Sequence, residues 1–223
     1  GDVRYATRFL IDRNIRGGCE IEGPAIAGTS IGWIFDDPTL APVDVDVRPT
    51  VLSFDIETDA QATRLLAISL YGCGADEVLI VDPRARPLPE RAIGFADERT
   101  AIDAFCKRVL ELDPDVLTGW NVVDFDLSVL AKIAQRVRHP FELGREAGGL
   151  RVRPARGYFG SGSASIPGRL VLDGIDLIRG AFVRFDDYSL DAVAREVLGE
   201  GKALEGDAHR APADGDGLFH AHD

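Results

Sequence analysis

Apolar and polar positions change their spacing several times along this chain, and each change marks an element. Val3, Ala6, Phe9 and Leu10 recur at helical intervals and the pattern stops at Gly17-Gly18, so residues 3–15 read as one short amphipathic helix. Cys19 to Ile21 and Ala25 to Phe35 alternate between glycine breaks, as a hairpin does, and Asp36-Asp37-Pro38 closes it. Pro38, Pro42 and Pro49, set among Asp and Val, describe an extended linker.

From Thr50 the pattern strengthens. Val51 to Ile56 is a nearly continuous apolar run that ends in acids, which predicts a buried central strand. Leu65 to Tyr71 and Glu77 to Val81 supply two more strands around the turn Gly72-Cys73-Gly74, and the three make an antiparallel meander. Thr100 to Leu112 is helical by the spacing of Ile102, Phe105, Val109 and Leu112, with Pro114 just beyond its end. Val116-Leu117 is a brief strand and Phe125 to Val137 a second helix that stops before His139-Pro140. Leu170 to Leu172 is the last strand, and Ile175 to Phe182 and Leu190 to Leu198 are helices, the latter closed by Gly199. Three strands in succession, then helix, strand and helix, predict an α/β fold of the ribonuclease H-like kind. That is a mixed sheet flanked by helices, here behind a short N-terminal helix-plus-hairpin segment. After Lys202 the periodicity is lost.

Composition narrows the choice of function. The chain has 223 residues, 45% apolar and 28% charged, which is the make-up of a folded globular protein with room for a full core. No apolar run approaches the ~18 residues that a membrane span needs. Cys19, Cys73 and Cys106 are odd in number and lack a C-x-x-C spacing, which argues against a disulfide framework or thiolate zinc site and for the cytosol. A chain that starts at Gly1 and contains no methionine has lost its initiator residue or is an excised piece of a longer protein.

The net charge of −12 would by itself count against a nucleic-acid partner. Its distribution changes that picture. Between Ala131 and Gly160 stand Lys132, Arg136, Arg138, Arg145, Arg151, Arg153 and Arg156 against only Glu142 and Glu146, a local surplus of five positive charges. With Tyr158 and Phe159 this loop-rich stretch is either a contact for a phosphate backbone or a solvated surface loop.

Candidate chemistry concentrates at two places. In Phe54-Asp55-Ile56-Glu57-Thr58 the alternation of a strand puts Asp55 and Glu57 on one face and Phe54, Ile56 and Thr58 on the other. Two carboxylates at the end of a buried strand repel one another and are costly to desolvate unless a cation sits between them. The pair therefore calls for a hard divalent ion, or else marks a solvated strand end. In Thr118-Gly119-Trp120-Asn121-Val122-Val123-Asp124-Phe125-Asp126 a strand passes through a turn into a helix, where Asp124 and Asp126 would suit a helix N-terminus equally well. Asp173 ends the strand Leu170-Val171-Leu172, in a turn role or beside the site, and Trp120 packs in the core. His209, His220 and His222 lie in the tail, where solvation outweighs a designed site.

Together, D-x-E and the following N-x-x-x-F-D resemble the first two exonuclease motifs of the family B DNA polymerases, read here as Asp55-Ile56-Glu57 and Asn121 to Asp126. The flanks Val51–Thr58, Asp113–Asp126, Gly168–Asp176 and Tyr188–Lys202 are similar to the bacterial DNA polymerase II branch of that family, over roughly residues 50–202. The resemblance implies a 3′→5′ proofreading exonuclease that hydrolyses the 3′-terminal phosphodiester of single-stranded or frayed DNA with two Mg²⁺ or Mn²⁺ ions. It implies Asp55, Glu57 and Asp126 as catalytic metal ligands, with Asp55 the bridging group. Thr58, Asn121 and Phe125 would line the path of the strand, and Arg151, Arg153 and Arg156 would add phosphate contacts.

It further implies residues 1–49 as the end of the polymerase's N-terminal domain with a linker, 50–202 as the nuclease domain and 203–223 as a tail. The implied partners are a DNA 3′ end and the rest of a polymerase chain, with no membrane, in a bacterial cytoplasm and associated with the nucleoid. The family's third motif, Y-x-x-x-D, is missing: Tyr5, Tyr71, Tyr158 and Tyr188 have Phe9, Ala75, Gly162 and Ala192 four positions on. His209 and Asp214 match the H-x(4)-D of a sister nuclease group, but Pro212 between them would break the required helix. The expectation is therefore a piece that ends before its fourth acid and is inactive or weak alone. A non-catalytic DNA-holding or docking domain and a free-standing exonuclease of the same superfamily are the alternatives.

Overall fold

The computed structural model describes residues 3–28, 32–153 and 162–199, and the chain divides into two units, Gly1–Arg48 and Pro49–Asp223. Arg156, Tyr158, Phe159, Lys202 and everything in the 203–223 tail lie outside the described residues.

In the first unit, helix α1 (Tyr5–Asp12) is shorter at both ends than the periodic stretch 3–15, and none of its residues is buried. Strand β1 (Cys19–Glu22) pairs antiparallel with β4 (Thr39–Pro42), and β2 (Ala25–Ala27) with β3 (Trp33–Phe35). The expected hairpin is thus β2–β3 alone. Cys19–Glu22 finds its partner inside the stretch read as a linker, where Leu40 and Ala41 between two prolines give too short an alternation to announce a strand.

The second unit is built on a six-stranded mixed sheet. Its members are β5 (Val51–Thr58), β6 (Leu65–Gly72), β7 (Ala75–Val81), β8 (Ala92–Phe95), β9 (Val116–Gly119) and β12 (Leu170–Asp173), in the spatial order β12-β9-β5-β6-β7-β8. The meander β5-β6-β7 is antiparallel, and Cys73 and Gly74, with φ of 54° and 85°, form its two-residue turn between β6 and β7. Strands β9 and β12 join parallel to β5, and β8 joins parallel to β7. This is the mixed sheet of a ribonuclease H-like α/β fold, as the element order predicts.

Helix α2 (Glu98–Leu112) starts at Asp97, whose carboxylate accepts the Thr100 N–H at 2.8 Å, and stops at Asp113 in the left-handed conformation before Pro114. It buries Ala101, Ile102, Phe105, Cys106 and Val109. With α3 (Ser128–Arg136) it covers the sheet face that carries Leu52, Phe54 and Ile56, and the Phe54 and Phe105 rings meet at 5.3 Å between centroids. The Cys106 thiol is pushed up to about 12 by burial, the behaviour of an inert core group. Helices α4 (Gly174–Gly180) and α5 (Leu190–Leu198) follow β12.

In this unit three strands carry no sequence signal: β8, and the small hairpin of β10 (Arg151–Arg153) with β11 (Ser163–Ser165). Each is three or four residues long, below the length at which a period of two can be read.

Candidate functional site

The parallel strands β9 and β12 end at the same level while β5 runs on past them to Thr58, and the site lies at these carboxyl ends, the usual place for ligands in such sheets. Pairing of β5 with β9 covers only Val51 to Ser53, whereas β6 follows β5 along its whole length with a bulge between Glu57 and Thr58. Beyond Ser53 the β9 side of β5 therefore opens. At that point the chain must approach very closely: a Cβ on Gly119 would stand 2.5 Å from the Phe54 carbonyl oxygen, so no other residue fits without displacing β9.

After Gly119 the chain turns through Trp120 and Asn121, the latter with φ of 59°, a conformation that Asn tolerates better than most residues. It then enters a π-helix at Val122–Leu127 that runs directly into α3. Sequence periodicity predicts an ordinary helix from Phe125; the wider turn begins three residues earlier. Such π-turns gather at functional sites because they re-aim side chains. This one buries Val122, Val123, Asp126 and Leu127 and leaves Asp124 exposed.

Asp126 is wholly buried. Its Oδ1 accepts the backbone N–H of Ile56 at 2.9 Å, the donor that the departing β9 no longer meets, while its Oδ2 is buried with no hydrogen-bond partner. Loss of solvation, then repulsion from Asp55, pushes the Asp126 carboxyl up to about 8, against the opposing pull of the Ile56 N–H. Asp55 is an exposed residue of the strand, but its carboxyl is turned toward the acids and is pushed up to about 6, by desolvation first and by Glu57 second. Asp55 thus interacts with both other acids and stands between them in charge. The strand end itself is fastened by Asp59, whose carboxylate accepts from the N–H groups of Thr63 and Arg64 and from the Thr63 hydroxyl.

The fit to a cation can be judged on these atoms. An orphaned buried carboxylate oxygen beside two further acids has the oxygen chemistry that Mg²⁺ or Mn²⁺ takes. Among the described residues, however, no three His, Cys, Asp or Glu side chains converge closely enough to hold an ion by themselves.

The other residues singled out in the sequence divide. Asn121 is exposed and its side chain makes no capping bond, and Phe125 is half-buried against the core. Thr58 is buried, and its hydroxyl donates to the Asp59 carbonyl at 3.0 Å. Arg151 and Arg153 are exposed on β10, two apart and so on one face of the strand. Two of the seven basic residues of the 131–160 stretch are engaged with acids instead: Arg136 with Glu98 at 2.6 Å, and Arg145 with Asp113 and Asp115 at 2.7 and 3.0 Å. Trp120, expected in the core, is only half-buried, and it donates its Nε1–H to the Tyr188 carbonyl at 2.9 Å.

Asp173, for which the sequence allows a turn role or a place beside the site, is buried at the end of β12, and its two oxygens accept from Val123 and Ile175. The one signal for it in the sequence is a short apolar run ending in an acid, the pattern that also leads to Asp55.

Comparison with known proteins decides the family. The family model described as DNA polymerase family B, exonuclease domain, matches residues 1–193. The chain belongs to that family. This family B exonuclease domain is 36% identical over 92% of its length to DNA polymerase II of Escherichia coli (strain K12), of which it covers 26%. It is 29% identical over 90% of its length to the DNA polymerase delta catalytic subunit of Schizosaccharomyces pombe, covering 22% of that protein. The chain therefore spans about a quarter of the length of these relatives.

The structure of the family B DNA polymerase from the hyperthermophilic archaeon Pyrobaculum calidifontis shares its fold, with a TM-score of 0.61 and 24% identity over 87% of this chain and 25% of that one. The likeness to bacterial polymerase II read from the motif flanks is met by the first of these relatives. Among the described residues no helix is long and apolar enough to cross a membrane.

Proposed function

We propose that this family B domain is a 3′→5′ exonuclease that removes the terminal nucleotide from single-stranded or frayed DNA during proofreading. The observation that carries the reading is Asp126, a fully buried carboxylate with one unpartnered oxygen, set close enough to Asp55 of the D-x-E strand to feel its charge. Such a group needs a proton or a cation, and a site that holds cations has reason to keep it.

In this reading Asp55, Glu57 and Asp126 would hold Mg²⁺ or Mn²⁺, with Asp55 as the acid shared by the other two because it couples to both. Bound divalent ions would supply Lewis acidity and a lowered water pKa. The chain's own residues do the placing. Ile56 fixes Asp126 through its N–H, and Asn121 and Phe125 offer a polar tip and an aromatic surface to an unpaired end, which must be accepted whatever its base. Arg151 and Arg153, and Arg156 beyond the described residues, attract the phosphates. Thr58, whose hydroxyl donates to Asp59 and keeps its acceptor capacity, would line the path of the DNA strand with Asn121 and Phe125.

Residues 1–49 would be the end of a polymerase's N-terminal domain and linker, 50–202 the nuclease domain and 203–223 an irregular tail, with the rest of a polymerase chain as partner. Because the 223 residues contain no Y-x-x-x-D, three acids serve where the family uses four, and the chain alone should be inactive or weak. A second reading, a non-catalytic domain that holds DNA, is favoured by the lack of three converging metal-binding side chains among the described residues.

The two readings part in a chain extended through a Y-x-x-x-D segment. Mn²⁺-dependent hydrolysis of single-stranded DNA that Asp55→Ala abolishes supports the nuclease. No hydrolysis, or a rate unchanged by Asp55→Ala, supports the holding domain.

A further inference from the structure

Asp173 is the last residue of β12 and pairs in register with Gly119, the last residue of β9. Its carboxylate does two things at once. Oδ1 accepts the Ile175 N–H at 3.0 Å and so caps α4, while Oδ2 accepts the Val123 N–H at 3.1 Å, fifty residues away in the chain and in the first turn of the π-helix that carries Asp126. The same residue is held from its other side, because the Ser128 hydroxyl donates to the Val123 carbonyl at 3.0 Å. Both backbone polar groups of Val123 are thus gripped by side chains.

The surroundings leave little slack. A Cβ on Gly174 would lie 3.0 Å from the Trp120 ring and 3.1 Å from the Gly119 carbonyl oxygen, so the start of α4 and the turn leading to the π-helix are in close contact. A π-helix is a rare form, met mostly as a single wide turn inside or at the start of an α-helix and often at functional sites. In a six-residue element, a small rotation moves a side-chain carboxylate out of hydrogen-bond range of a fixed donor.

We propose that Asp173 is a positioning residue of this site: by clamping Val123 between β12 and the π-helix, it aims Asp126 at the Ile56 N–H of β5. The inference rests on the reading of Asp126 as a cation ligand for its functional meaning, but its geometric part can be tested without any cation. Asp173 lies close enough to Asp126 for their charges to repel, so the clamp also keeps a second acid near the first, a repulsion that a cation at Asp126 would offset.

Two measurements on the full 223-residue chain separate the inference from the reading beneath it. The first is amide hydrogen exchange of the metal-free protein. Asp173→Ala should speed exchange of the Ile56 amide by about tenfold or more, with Ser128→Ala acting in the same direction and Asp173→Asn falling between wild type and Asp173→Ala, since the two N–H groups are met by different carboxylate oxygens and Asn keeps an acceptor at only one of those places. A role confined to capping α4 would change Ile175 alone, and an unchanged Ile56 amide in both Asp173→Ala and Ser128→Ala overturns the proposal. Should Asp173→Ala fail to fold, Asp173→Asn and Ser128→Ala decide the question by the same exchange measurement, and an Ile56 amide unchanged in both overturns the clamp.

The second measurement is Mn²⁺ binding, followed by the electron paramagnetic resonance of the free ion, counting only the binding that Asp126→Ala removes. Loss of Asp173 should weaken that binding by about 10–100-fold, the usual cost of removing a group that orients a metal ligand. Binding that Asp126→Ala removes but Asp173→Ala leaves unchanged overturns the inference and spares the metal site. Binding untouched by Asp126→Ala overturns the metal reading, while the hydrogen-exchange result still decides the clamp.

Discussion

The backbone N–H of Ile56 donates to Asp126 Oδ1 across 2.9 Å, which links the middle of the D-x-E strand directly to the acid of the second motif. One motif thus positions the other. The bond exists because β9 stops pairing with β5 at Ser53 and leaves a donor that some acceptor must meet. Asp126 meets it with one oxygen, and its other oxygen is left buried and unpartnered.

A pH dependence follows from the raised acids. Asp55 at about 6 and Asp126 at about 8 both bind their protons more tightly in the folded chain than in the unfolded one. Their share of the stability is complete below the ordinary carboxyl range near pH 4 and is lost as pH rises through 6 and then 8. Urea midpoints of the metal-free protein should fall between pH 5 and pH 8, and Asp126→Asn should remove much of that fall. Because a cation must displace these protons, apparent Mn²⁺ affinity should climb over the same interval and level off above about pH 8.

Charge reversal at β10 tests the phosphate contact. Arg151→Glu with Arg153→Glu should weaken binding of single-stranded DNA and lower the slope of log affinity against log salt by about 0.7 for each phosphate that is no longer neutralised. A titration at several salt concentrations checks it, and an unaltered slope would leave these two residues as ordinary surface charges.

The core predicts a plain stability cost. Phe54 and Phe105 are both fully or nearly fully buried and touch across the sheet–helix boundary. Phe54→Ala should destabilise the chain by about 3–5 kcal/mol, measured by denaturant unfolding.

Gly119 predicts a more local one. With the Phe54 carbonyl 2.5 Å from where a Cβ would sit, Gly119→Ala must push the end of β9 away from β5, at a cost of about 1–3 kcal/mol. Since that end leads into the π-helix, the Ile56 amide should also lose protection in hydrogen exchange. A variant as stable as wild type with that amide still protected would show that β9 yields elsewhere.

Much of this fold is legible in the amino-acid sequence. Strands β5, β6 and β7 and helices α2 and α5 each carry enough periodic residues to announce themselves, and Cys73-Gly74 marks the meander's turn. Asp55 and Glu57 stand out because a strand's period of two puts both on one face whatever the strand packs against. What escapes such reading is short or non-local. β8, β10 and β11 are too brief for a period, and β4 is recognisable only by its pairing with β1 across the intervening hairpin. The basic stretch also looks more uniform in sequence than it is, because nothing local says that Arg136 and Arg145 are taken by Glu98, Asp113 and Asp115.

The sequence by itself determined which residue types reach this site and in what order, through two motifs whose local spacing is set by strand and turn geometry. Only the tertiary structure decided how they meet. A helix-opening Asp looks the same in sequence whether it caps its own helix or, like Asp126, turns inward to a strand seventy residues away. The difference lies in the π-turn and in Asp173, whose hold on Val123 depends on β12 lying beside β9. Hydrogen bonds between distant segments form when the fold brings donors and acceptors together out of water, and that requirement leaves no local trace.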